Sequence, residues 1–247
     1  MKLATHTEHV GQTLHHLSKK NDRLKAEKLR HYLGTQLHVH GLVSKAQAEI
    51  CKTGFDFSSS DKEKTFLIFD RVFKESPSHE GKNQALLYLD KNYKHISITS
   101  QLSILPQWVK YVDNWAHSDY LSKFLTRLHA YPESKQNIYT LVKKWNTSKL
   151  LWERRQSLVS LFYYSRTKKE YIDFESTKNL VTPLITDKEY FVQKAVGWTL
   201  RESYNVYPKQ TYQFIEEQIK QISSTAFTTC LEKMTEKEKQ HLKQKRK

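Results

Sequence analysis

The 247-residue sequence is poor in residues that make turns and cross-links: six glycines, five prolines and two cysteines, Cys51 and Cys230. So few turn formers argue against a β-sandwich or barrel, which needs a turn signal every ~8–12 residues, and favour long helices. Two cysteines cannot build a disulfide framework, and a reducing cytoplasm suits such usage. Nowhere do about 18 apolar residues run together, and the N-terminus MKLATHTEHV lacks the apolar stretch of an export signal. Neither a membrane span nor secretion is expected. The sequence also lacks G-x-x-x-x-G-K-[ST], G-x-G-x-x-G and H-E-x-x-H, so nothing points to nucleotide hydrolysis or zinc-protease chemistry, and no cofactor is called for.

Acidic residues are the minority, 26 against 41 lysines and arginines, for a net charge of +15. Such an excess points first to a polyanion, above all nucleic acid, with an anionic membrane surface as the rival. A hydrophobic share of 38 % with 12 % aromatics is enough for a core, in one large domain or two small ones.

Amphipathic helical pattern recurs almost throughout, over 4–19, 22–33, 44–52, 61–74, 80–93, 107–112, 114–130, 133–145, 149–165, 176–185, 188–204 and 208–222. Asp61, Ser148 and Asp187 stand where helix caps belong. ISITSQLSIL at 96–105 comes closest to strand alternation without being convincing. Helix pairs recurring at roughly 35–45 residues suit an all-α, HEAT-like helical-repeat solenoid, whose concave side offers an extended surface for a long ligand. Residues 1–230 are expected to form one such domain. Residues 231–247 form a charged helix end or tail, and its final KQKRK is read either as a mobile phosphate-binding arm or as a solvated helix end.

Two tryptophans stand away from the apolar stripes of their helices. In FVQKAVGWTLRES (191–203), Val192, Ala195, Val196 and Thr199 share one face, while Lys194, Trp198 and Arg201 line the other. In NWAHSDYLSKFLTRL (114–128), Leu121, Phe124, Leu125 and Leu128 make the stripe, and Trp115, Asp119, Ser122 and Thr126 lie opposite. Either each Trp packs on a further helix, or it meets a ligand. In KLLWERRQSLVSLFYY (149–164), Arg155 stands within the stripe of Leu151, Leu158 and Phe162. There it must snorkel or be paired, because an unpaired buried charge is costly. Asp119 is a plausible partner. His38 and His40, with His31 upstream, lack cysteine or carboxylate companions at metal-ligand spacing, so a polar turn is favoured and no metal site is expected.

WAHSD, LWERRQSLV and YFVQKAVGWTLRES together resemble the AlkD family of DNA alkylation-repair glycosylases, which are HEAT-like solenoids. HYLGTQLHVHGL (31–42) is similar, more loosely, to the family's N-terminal Tyr-containing turn. The resemblance covers roughly residues 25–220. It implies that Trp115 and Trp198 flank the damaged nucleotide's sugar and that Asp119 is the catalytic carboxylate. Arg155 would hold the DNA backbone, with Arg154 the lesser candidate for that role. Lys194 and Arg201 would be further DNA contacts on a basic concave face. The implied activity is hydrolysis of the N-glycosidic bond of cationic alkylated purines, such as 3-methyladenine or 7-methylguanine, in duplex DNA, without flipping the base into a deep pocket. A monomer acting in the cytoplasm on nucleoid DNA is expected. The sequence departs from the family pattern at His117 and Ser118, which are more polar, and at the HVH turn of 38–40. Two alternatives stay open: a non-catalytic homologue that binds branched or distorted DNA, and a protein-binding helical scaffold.

Overall fold

In a computed structural model, which describes residues 4–19, 22–162 and 171–247, regular structure is helical throughout apart from one isolated bridge between His38 and Ser78. The chain divides into two compact units, Met1–Leu121 and Ser122–Lys247. The division falls within one helix, α7 (Trp115–Ala130). No helix among the described residues is long and apolar enough to cross a membrane.

The first unit holds α1 (Ala4–Ser18), α2 (Arg23–Leu33), α3 (Ser44–Thr53), α4 (Lys62–Glu75), α5 (His79–Asn92) and α6 (Ile98–Trp108), then the start of α7. As expected, Asp61 caps α4, its carboxylate accepting from the Lys64 N–H at 3.1 Å. Phe66, Phe69 and Phe73 recur at i, i+3 and i+7 along α4 and are fully buried, each contributing roughly 1.5–3 kcal/mol. Phe73 stacks on Trp108, with ring centroids 4.2 Å apart, and the Trp108 indole N–H donates to Asp70 at 2.7 Å. That packing decides the ambiguous 96–105 stretch. Ser97 caps Ser100 N–H, and Gln101, Ile104, Leu105 and Trp108 then fall on one buried helical face. The helix expected at 107–112 therefore begins at Ile98 and carries Pro106 within it.

The second unit continues α7 and adds α8 (Pro132–Asn146), α9 (Leu151–Val159), α10 (Phe174–Val181), α11 (Tyr190–Val206), α12 (Pro208–Glu217), α13 (Ser224–Cys230) and α14 (Glu236–Arg246). The end of the helix expected over 149–165 lies outside the described residues. Ser148 and Asp187 lie just ahead of the helices they were expected to cap: each accepts a backbone N–H two residues on, from Leu150 and Glu189, and α9 and α11 begin one residue later still. Val192, Ala195, Val196 and Leu200 of α11 are buried, and the helix packs against α9, α12 and α13. A Cβ on Gly197 would lie 2.5 Å from the Ala226 carbonyl oxygen, so glycine is what lets α13 approach so closely.

The C-terminal segment is a docked helix, which corrects the reading of KQKRK as a mobile arm. Thr235 and Glu238 form a reciprocal capping box, and Leu242 is fully buried. Arg246 donates to the carbonyls of Ile219 and Ile222 and lies 4.4 Å from the Phe227 ring.

Candidate active site

The first unit presents Trp115 and Asp119 one turn apart at the start of α7, both half-buried. Asn114 caps this helix, its side-chain oxygen accepting the His117 N–H at 3.0 Å. The indole N–H of Trp115 donates to the Tyr32 carbonyl at 3.2 Å. The Tyr32 ring stands edge-on to the indole at 5.4 Å and is 68 % exposed. A second aromatic therefore flanks Trp115. The Tyr-containing turn at 31–42 was the only hint of it, because a contact across 83 residues leaves no local periodicity.

The rest of the polar face of α7 is not open to solvent. Ser122 and Thr126, expected to share the exposed side with Trp115, are buried. Gln156 of α9 donates to Ser122 Oγ at 2.7 Å, and Thr126 donates to the Ser160 carbonyl. Hydrogen bonds to a neighbouring helix thus satisfy that face, which periodicity alone reads as wet.

His117 and Ser118, the departures from the family pattern, are fully buried. The His117 ring stacks on His79, 4.5 Å between centroids. Its Nε2–H donates to the His79 carbonyl at 3.1 Å, and its Nδ1 accepts from Asn114 Nδ2 at 2.9 Å. Burial, then the neighbouring His79 and Lys82, hold its pKa well below the ordinary histidine value. The ring is neutral, so its 3.9 Å approach to Asp113 is not an ion pair. These departures are substitutions in the core, behind the Trp115–Asp119 face. The HVH turn is likewise tied from within: buried Glu80 accepts the backbone N–H groups of His40 and Leu42 at 2.9 and 3.2 Å. Among the described residues, no group of three or more His, Cys, Asp or Glu is arranged to hold a metal ion.

The second unit presents Trp198 on α11, half-buried like Trp115. The apolar residues Val192, Ala195 and Val196 face inward. The Arg201 guanidinium lies 5.9 Å from the Trp198 ring centroid, within cation–π range. Both neighbouring cations reach toward the segment that Gly197 admits. Lys194 Nζ donates to Thr229 Oγ1 at 3.2 Å, and Arg201 Nη1 donates to Glu232 at 2.6 Å. Glu202 accepts from Arg201 Nε at 3.1 Å. Each of the two cations beside the indole is thus already bonded within the protein.

Arg155 is buried in α9, as its place in the apolar stripe demanded, and its Nη1 donates to the Phe191 carbonyl at 2.8 Å. Arg154 ion-pairs with Asp187 at 2.6 Å and donates to the carbonyls of Ser148 and Lys149. It ties the turn before α9 to the turn before α11, which gives Arg154 a structural role.

A family model described as DNA alkylation repair enzyme matches residues 13–234. The chain belongs to this family. A solved structure described as a predicted DNA alkylation repair enzyme from Enterococcus faecalis has the same fold. It superposes with a TM-score of 0.70 at 16 % identity, over 87 % of this chain and 97 % of that one. No curated protein matches the sequence. Family membership gives the chain a role in DNA alkylation repair, and the all-helical repeat fold agrees with it.

Proposed function

We propose that the protein is a monofunctional DNA glycosylase that hydrolyses the N-glycosidic bond of cationic N3- or N7-alkylated purines in duplex DNA. The observation that carries this reading is the Trp115–Asp119 pair. Of the four residues on the polar face of α7, Ser122 and Thr126 are buried while Trp115 and Asp119 stay half-exposed, with Tyr32 beside Trp115.

The chemistry needs little more. A purine alkylated at N3 or N7 already carries positive charge, so the C1′–N bond can break without protonation of the base. The bonding electron pair leaves with the purine and neutralises it, and the sugar passes through an oxocarbenium-like state. Asp119 stabilises that developing charge and aligns the water whose oxygen bonds to C1′. The released proton goes to the carboxylate or to solvent. Trp115 and Trp198 present electron-rich faces to the cationic sugar and base, each contact giving about 0.5–2 kcal/mol. Lys194, Arg155 and Arg201 serve the DNA backbone, in keeping with the +15 charge. Arg154, the lesser candidate for that role, is already paired with Asp187. No Schiff base is required, so the product is an abasic site in an uncut strand. Recognition through sugar and phosphate, in place of a deep base pocket, would admit bulky adducts.

The test is release of 7-methylguanine from a duplex oligonucleotide by wild type and Asp119→Asn, with binding to the same duplex followed in parallel. Release by wild type alone, at similar affinity, is expected. Binding without release by either protein would instead support a homologue that recognises distorted DNA. No binding would leave a scaffold for another partner.

A further inference from the structure

Asp113 joins the two chain segments that form the Tyr32–Trp115 pair. Its Oδ2 accepts hydrogen bonds from Thr35 Oγ1 at 2.5 Å and from the Gln36 N–H at 3.1 Å. Its Oδ1 accepts from Asn114 Nδ2 at 2.8 Å, and the same Asn114 caps α7 through the His117 N–H. One carboxylate therefore fastens the segment just after α2 to the first turn of α7.

The fastening matters because Tyr32 sits at the last turn of α2 with its side chain outside the core. Its ring is largely exposed, so burial does not set its position. Two residues separate it from Thr35. Between them Gly34, with φ of 66°, ends α2 in the left-handed region, where glycine is favoured. That turn sends Thr35 inward, where it is 3 % exposed, to meet Asp113. The Tyr32 carbonyl is left facing the Trp115 indole N–H.

We infer that Asp113 is a positioning residue. Its bridge from Thr35 and Gln36 to Asn114 holds the Tyr32 carbonyl against the Trp115 indole and so sets the plane of the ring offered to the damaged nucleotide. The inference rests on the reading of Trp115 given above for its functional consequence, but not for its structural one. A charge-assisted acceptor suits the task, since two donors from the segment after α2 and one from the start of α7 converge on a single carboxylate.

The indole N–H of Trp115 reports the bridge directly. ¹⁵N–¹H spectra of the five tryptophan indoles would be recorded for wild type, Asp113→Ala, Asp113→Asn and Thr35→Val, with Trp115→Phe to assign the resonance. In Asp113→Ala the Trp115 signal is expected to shift toward that of a solvent-exposed indole while the other four stay in place. Base release should fall roughly tenfold to a hundredfold with duplex affinity much less changed, the signature of a misplaced group. Asp113→Asn keeps one acceptor oxygen and should recover part of both effects. Thr35→Val removes a single donor, so if Asp113→Ala fails to fold, a smaller shift in the same direction is expected there. An unmoved Trp115 signal in folded Asp113→Ala, or in Thr35→Val where the alanine variant does not fold, would overturn the inference. A moved signal in a protein whose wild type releases no base would leave the Asp113 bridge standing and count against the glycosylase reading alone.

Discussion

Arg201 and Glu232 form a 2.6 Å ion pair that holds the guanidinium beside the Trp198 indole. If Arg201 meets a DNA phosphate as proposed, that phosphate competes with this carboxylate, whose charge also opposes the approach of the backbone. Glu232→Gln is therefore expected to bind duplex DNA several-fold more tightly. Its log Kd against log salt should steepen by about one unit if the released Arg201 engages a phosphate. Titrations between 50 and 200 mM salt, a range over which such slopes are resolved, check this. Weaker binding by the variant would remove Arg201 from the DNA contacts.

Gly197→Ala sets two effects against each other. Alanine is favoured over glycine inside a helix by about 1 kcal/mol. The added Cβ would however lie 2.5 Å from the Ala226 carbonyl oxygen and 2.8 Å from Thr229 Cβ, and backbone cannot yield as a side-chain tip does. Overpacking of this kind costs about 1–3 kcal/mol, so a net loss of thermal stability is expected. Because Thr229 and Glu232 partner Lys194 and Arg201, DNA affinity should change with it. Thermal unfolding without any loss would show that α13 can move away freely.

Lys82 makes folding stability depend on pH in the alkaline range. It is 4 % exposed, donates to the Phe73 carbonyl at 2.5 Å and lies over the Phe73 ring. Burial lowers its pKa from the ordinary lysine value to about 8, partly opposed by Asp113. Between pH 8 and the unfolded value near 10.5, the unfolded chain binds more protons at this residue than the folded one, so stability rises with pH. Relative to Lys82→Met, the wild type should gain on the order of 3 kcal/mol across that window. Below pH 8 the difference should be flat. Parallel denaturant titrations of both proteins measure it, and a pH-independent difference would mean that Lys82 keeps an ordinary pKa when folded.

The helical class was legible in the sequence because it depends on local matters: few turn formers, apolar residues at helical spacing, and a cap such as Asp61 before α4. Trp115, Asp119 and Trp198 stood out as candidates for a related reason, since each lies off the apolar stripe of its own helix. The family resemblance, carried by short motifs on α7, α9 and α11, read correctly as well. Periodicity reports only which side a residue takes, however, and not what meets it there. Ser122 and Thr126 share a face with Trp115 and Asp119, yet α9 covers the first two. Lys194 and Arg201 flank Trp198 as expected, yet Thr229 and Glu232 occupy both. The partnership of Tyr32 with Trp115, and the Asp113 bridge that fastens it, join positions about eighty residues apart. No local pattern encodes such pairs, because hydrogen bonds between distant segments form only after packing has brought the segments together. The composition, spacing and motifs by themselves determined the helical class and the family, and singled out the candidate site residues. Which polar faces remained open, and what holds the exposed aromatics in place, was decided by tertiary packing alone.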